Sequence, residues 1–211
     1  LYFQPYNYKV WRKNLANIPL SWLEGKLPMP TVEEIMFNNM NHVEERQFVH
    51  SSFFYPTKGG AQFLADRLAK KINIRYNNGV NRIERCNGKL KVNNDYCDRI
   101  IFCGNIKDFP KIFEIDSYVS EIKSLEAHGT TSVFCEIDNN PYSWIYMPSR
   151  LHESHRIICS GNFSKMNNSL GKMTATIEFT DYITKDCIIS NLNRIPFHPK
   201  YLTHNYEEYT Y

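Results

Sequence analysis

The segment Phe53 to Gly104, FFYPTKGGAQFLADRLAKKINIRYNNGVNRIERCNGKLKVNNDYCDRIIFCG, sets the tightest limits on the fold. An aromatic–Pro turn leads to paired glycines. A helical run, a short strand, a hairpin and an apolar strand follow. Phe63, Leu64, Leu68 and Ile72 recur at helical spacing, with Asp66, Arg67, Lys70 and Lys71 on much of the other face. The lysines fall in the last turn, where the helix dipole favours cations. Gly59 and Gly60 precede this helix. Glycine there lets backbone approach a phosphate at exposed N–H groups, or pack closely on a strand. An isolated pair fits the plain packing turn as well, and it is not a GxGxxG fingerprint.

Ile72 to Tyr76 is β-prone, and Asn77-Asn78-Gly79 marks a turn. Val80–Arg85 and Lys89–Val92 flank Cys86-Asn87-Gly88, and Asn-Gly between two such runs predicts a hairpin. Arg99 to Cys103, RIIFC, is a continuous apolar run, as expected of a strand buried on both faces. It ends at Gly104, where flexible backbone can pass close to a ligand.

Tyr6 to Trp11 gathers aromatic rings with Asn7 and Lys9. Rings and a cation this close can stack a base and hold a phosphate or carboxylate. A surface loop anchored by its aromatics is the plainer alternative. Asn14 to Leu23, interrupted by Pro19, suggests a short turn and then a helical turn, and Gly25 to Pro30 is a break. Thr31 with Glu34 is a capping-box signature opening a helix from Val32 to about Asn39. Asn38 to Phe48 reads as irregular.

After Cys103, helices are expected over 106–113 and 119–125. Four runs then predict an antiparallel meander: Thr130–Ile137, Ser143–Met147, Arg156–Ser160 and Met173–Phe179. Trp144 and Tyr146, two apart, share one strand face. They either floor a substrate pocket or pack inward. Glu178, with Thr174 and Thr176, reads as the sheet's polar face. Asp181 opens a last helix to Leu192, and the Tyr-rich tail is strand or loop. His42 and His50 lack partners at metal-ligand spacing, and His152-Glu153-Ser154-His155 does not fit HExxH, so no metal site is expected.

A net charge of +3 from 25 basic and 22 acidic residues, with no long basic run, gives no footprint for nucleic acid. No apolar stretch is long enough for a membrane span. The six cysteines include no CxxC pair, so zinc-ribbon and thioredoxin-like readings lack support. They read as reduced core thiols of a cytoplasmic protein. Leu1-Tyr2-Phe3-Gln4 matches the end of a common protease-site tag, although Pro5 hinders cleavage there, so native sequence is the alternative.

The order aromatic-x-Pro-x-x-Gly-Gly, helix, V-x-x-I, hairpin and D-x-I-I resembles the flavin-containing amine oxidase superfamily. That superfamily includes protoporphyrinogen oxidase-like proteins and UDP-galactopyranose mutases. Pro5-Tyr6-Asn7-Tyr8-Lys9-Val10-Trp11 also resembles the mutases' Tyr-Thr-x-Lys-Gln-Trp segment. The resemblance implies an α+β, α/β-like chain: a mixed, largely antiparallel substrate-domain sheet with flanking helices, part of a bipartite FAD-binding fold. It implies nucleotide-sugar contacts from Tyr6 and Trp11; Asn7 and Lys9 between them, and Trp144 and Tyr146 on the sheet, complete the candidate substrate-binding residues. Asn7 and Val10 replace Thr and Gln of the mutase pattern, which leaves the substrate open. It places Gly59, Gly60, Val80, Cys103 and Gly104 on the FAD side.

The nine glycines include no G-x-G pair, so the pyrophosphate-binding loop of FAD is expected outside these residues. The expected divisions are a substrate-side segment over 5–52, an FAD-side helix and hairpin over 53–105, and the substrate-domain sheet over 106–211. The resulting expectation is the central, substrate-binding part of an FAD-dependent oxidoreductase or UDP-galactopyranose mutase-like enzyme of polysaccharide biosynthesis, inactive by itself. Its partners are a nucleotide sugar or other small molecule and a Rossmann segment of the same protein. The alternative is a cofactor-free α/β module that stacks sugars or bases on Tyr6, Trp11, Trp144 and Tyr146.

Overall fold

The computed structural model describes residues 2–19, 21, 30–43, 52–115, 117–168 and 171–210, with backbone only for 209 and 210. The turn expected around Trp22, the break over 25–29, the irregular segment beyond 43, and His50 lie outside these residues.

Helix α1 spans Phe3–Trp11. The aromatic cluster at Tyr6 is therefore helical and not a loop. Pro5 is tolerated in the first turn, where its missing N–H removes no helical bond. Arg12 closes α1 in the left-handed region and donates its N–H to Tyr8 O. Helix α2, Val32–Met40, carries the expected reciprocal capping box between Thr31 and Glu34. Helix α3, Gln62–Ala69, follows the glycine pair.

A three-stranded antiparallel sheet comes next: β1, Ile83–Cys86, β2, Lys89–Val92, and β3, Asp95–Cys97. Asn87 and Gly88 both have positive φ, as a two-residue hairpin turn requires. The structure corrects two expectations here. Neither Ile72–Tyr76 nor Arg99–Cys103 is a strand. Ile101 is 89% exposed and Cys103 is exposed. An apolar run forms a central strand only when neighbouring strands cover it.

Short helices α4, Phe109–Ile112, and α5, Val119–Ser124, lead to the main sheet. Its strands are β4, His128–Ile137, β5, Trp144–Tyr146, β6, Arg156–Ile158, β7, Met173–Thr180, and β8, Lys200–Thr210. Their order is β5-β6-β7-β4-β8, all antiparallel. Strands β5 to β7 form the expected meander, but β4 pairs with β7 and not with β5. The 6→7 connection carries helix α6, Ser160–Phe163.

Alternation sorts the two faces. Val133, Cys135, Ile137, Ile157, Ala175, Ile177 and Phe179 form the buried face. Helix α7, Lys185–Leu192, adds Ile188 and Leu192 to the same core. Its N-cap is Thr184, whose hydroxyl accepts from Cys187 N, so the helix opens three residues later than expected. Asp181 instead ends β7 with φ +66°. All six cysteines are free, but only Cys135 and Cys159 are buried, so the core-thiol expectation fails for exposed Cys103 and Cys187. No helix among the described residues is long and apolar enough to cross a membrane.

Candidate functional site

The opposite face of the main sheet is polar. Register places Tyr146 opposite Arg156, Arg156 opposite Glu178, Glu178 opposite Ser132, and Ser132 opposite Asn205. One row of side chains thus crosses all five strands on one face. Arg156 Nε donates to Glu178 Oε2 at 2.7 Å, and Nη2 lies 2.5 Å from the same oxygen in an ion pair. Both contacts fall on the same carboxylate oxygen of Glu178.

Helix α1 lies over this row. Tyr6 meets Tyr146 edge-on at 5.3 Å between ring centres, and Tyr2 stacks on Tyr6 at 5.8 Å. Thr180 Oγ1 donates to Val10 O, which fixes the far end of α1 on β7. Burial, with Tyr146, Tyr2 and Glu178 nearby, pushes the Tyr6 hydroxyl up to about 12, against the pull of Arg156. It therefore stays protonated and presents a donor.

Lys9 is a clamp. Its ammonium donates to Met147 O at 2.9 Å and to Ser154 O at 2.8 Å, and the residue is 8% exposed. Both carbonyls lie in the 5→6 connection, so Lys9 pins α1 to the sheet. Burial lowers its pKa to about 8; Arg12 adds to that and Glu153 opposes it. We expect Lys9→Met to destabilise the fold by about 2 kcal/mol in urea titration. Two buried carbonyls lose their partner, and release of the desolvated charge offsets only part of that cost. An unchanged midpoint would contradict the clamp.

The same connection holds His152 and His155. Ser154 Oγ and His152 Nδ1 are 2.8 Å apart. Asn191 Oδ1 accepts from Glu153 N at 2.7 Å and ties the turn to α7. His155 is buried against Tyr6, and its Nδ1 has no hydrogen-bond partner. Burial lowers both histidines to about 4, with Lys9 lowering each further and Arg156 and Arg12 also acting on His155. Among the described residues no group of three His, Cys, Asp or Glu is placed to hold a metal.

The other expected residues divide clearly. Asn7 is buried and donates its Nδ2 to Phe3 O within α1. Trp11 is half-buried at the end of α1. Trp144 packs into an aromatic cluster with Phe53 at 4.8 Å and Phe163 at 5.1 Å. Ser164 Oγ donates to Thr57 O, so this cluster also anchors the loop before the glycine pair. The structure thus brings Tyr6 and Tyr146 together and gives Asn7, Lys9 and Trp144 structural contacts. Arg156 and Glu178 are the functional candidates that strand pattern alone could not join, because their register depends on the 6→7 connection.

A cavity of about 930 Å³ opens beside α1, lined among others by Tyr8, Lys9, Arg12, Arg150 and His152. Tyr6, Tyr146 and the Arg156–Glu178 pair do not line it.

On the expected FAD side, Gly59 and Gly60 have φ +87° and +58°. Cβ atoms there would meet Phe63 Cβ at 3.4 Å and Tyr55 Oη at 3.3 Å, so both glycines serve the tight turn into α3. Val80, Cys103 and Gly104 are exposed. None of the five lines a described cavity. These residues alone do not build a closed flavin cradle.

No family model matches the sequence, and no curated protein does. Among solved structures, reduced UDP-galactopyranose mutase aligns with TM-score 0.81 at 16% identity, over 100% of this chain and 52% of that one. A conjugated linoleic acid-producing fatty acid isomerase from P. acnes aligns with TM-score 0.52 at 16% identity, over 71% of this chain and 40% of that one. The chain spans about half the length of the solved structures it matches. It has the α+β fold of that half, with helices around two antiparallel sheets.

Proposed function

We propose that this chain is the substrate-binding side of an FAD-dependent oxidoreductase or UDP-galactopyranose mutase-like enzyme. Its ligand is a nucleotide sugar or a related small molecule, in polysaccharide biosynthesis in the cytoplasm. The pyrophosphate of FAD is held by a Rossmann segment outside these 211 residues. When bound, the flavin supplies the redox or covalent chemistry, and this chain binds and orients the substrate. Exposed Ile101, Val80 and Cys103 supply apolar surface for that second part to cover.

One observation carries the reading. Tyr6 and Tyr146 are candidate ligand residues far apart in sequence, and their rings meet over an Arg–Glu pair on an otherwise polar sheet face. That is an aromatic wall beside a donor and an acceptor, the composition of a small-molecule site. Fold likeness to the mutase supports it as analogy.

The test uses the full gene product. It should carry a flavin absorption band and bind a UDP-sugar. Tyr6→Ala should weaken that binding at least about tenfold, as loss of a stacked ring does, and should keep the flavin. A flavin-free product, or unchanged affinity in Tyr6→Ala, would overturn the reading.

A further inference from the structure

We propose that the cavity of about 930 Å³ beside α1 is a second binding site, for a small molecule carrying a phosphate group. Arg12 and Arg150 hold the phosphate, and Tyr8 supplies a wall for the rest of the ligand. The site is separate from the ligand face on the sheet, because Tyr6, Tyr146, Arg156 and Glu178 do not line it. It does not depend on the flavin reading.

The lining carries unbalanced charge. Lys9, Arg12 and Arg150 line the cavity, and Glu153 is the single carboxylate beside them. A cleft lined by one sign of charge focuses the field and concentrates ions of the other sign. The Lys9 ammonium is already bonded to Met147 O and Ser154 O, so it adds charge more than contact. After burial, Arg12 is the next cause that lowers the Lys9 pKa, and Lys9 the next that lowers that of His152. The cations around the cavity thus repel one another, and a bound anion relieves that repulsion.

Two guanidinium groups have donors to spare. Arg12 reaches Glu153 through one contact, Nη2 to Oε2 at 3.4 Å, between partly exposed side chains. Such a pair is worth little. A phosphate, with about two charges and several acceptor oxygens, displaces it from the guanidinium fork. Arg150 makes no hydrogen bond or ion pair among the described residues. His152 also lines the cavity, and its Nδ1 lies 2.8 Å from Ser154 Oγ. Nε2 is then the ring nitrogen left for a ligand, and the neutral ring offers it one N–H when Nδ1 accepts from Ser154. Tyr8 stands one turn before Arg12 on the same side of α1 and is exposed. Its ring gives a flat wall for a sugar or an aromatic group beside the cations.

The test uses the full gene product and two probes, inorganic phosphate and phenyl phosphate, each followed by phosphorus-31 NMR titration. Both should bind, phenyl phosphate more tightly because its ring meets Tyr8. Arg150→Gln should weaken both by at least about fivefold. Arg150 has no partner to lose among the described residues, so this variant keeps its fold. Glu153→Gln should strengthen both by about threefold, because the carboxylate that competes for Arg12 is gone. Tyr8→Ala should remove the preference for phenyl phosphate and keep inorganic phosphate bound. No binding at millimolar probe, or affinities that Arg150→Gln and Glu153→Gln leave unchanged, would overturn the proposal. Weaker binding in Tyr146→Ala with no effect of Arg150→Gln would overturn it too, by placing the anion on the sheet face. Neither probe needs flavin or a nucleotide sugar, so a failed flavin reading leaves the site standing, and the reverse also holds.

Discussion

Acidification from pH 6.5 toward 4 should destabilise this protein steeply. His152 and His155 are 5% and 8% exposed, and burial is the main cause holding both at about 4 instead of 6.5. In the unfolded chain both take up protons near the ordinary value. Between pH 6.5 and 4 the unfolded state therefore binds more protons than the folded one. Stability is fully present above that window and falls as pH falls through it. For His155 a shift of this size corresponds to on the order of 3 kcal/mol, a large share of a typical domain's stability, and His152, around which fewer protein atoms crowd, contributes less after solvent screening. Urea midpoints measured from pH 7 to pH 4.5 should drop steeply, and His155→Gln should remove about half of the slope. A flat profile would mean that these histidines stay solvated.

Phe179→Ala should be among the most damaging single changes in the chain. Phe179 is fully buried on β7, opposite Thr131, within the core that α7 covers. Truncating a buried phenylalanine costs about 3–5 kcal/mol, from lost transfer energy and the cavity left behind. Phe134 supplies the internal control. It lies on β4 opposite Thr176, on the polar face, and is 42% exposed. Phe134→Ala should change stability by about 0.5 kcal/mol or less. Equal losses in the two variants would show that the faces have been assigned wrongly.

Local physics made much of this fold readable. The capping box at Thr31, the hairpin at Asn87-Gly88 and the alternation of β4 and β7 are set by near neighbours. What escaped was non-local. Tyr6 to Trp11 shows no simple apolar stripe, because the face that α1 turns to the sheet carries polar Lys9, three residues from Tyr6 and bonded to two distant carbonyls. Period-two patterning cannot order strands, so it could not place β4 beside β7. Asp181 looked like a helix opener because its left-handed turn and its bond to His128 depend on a partner strand. The RIIFC run misled for the opposite reason, since its apolar pattern implies a covering that the described residues do not provide.

At the site, Tyr6 and Tyr146 were legible as aromatic candidates, and Arg156 with Glu178 was not. Charged residues on separate strands become a pair only once the register is known. Lys9 had the right chemistry for an anion, yet burial and two carbonyl partners make it a fastener first.

The most direct measurement is a double-mutant cycle on UDP-sugar affinity in the full flavoprotein, with Tyr6→Ala, Tyr146→Ala and both together. Each single change should weaken binding, and the pair should be coupled by about 0.5–1.5 kcal/mol, because one ring supports the other. Unchanged affinity in all three variants would contradict a ligand face built where α1 crosses the sheet.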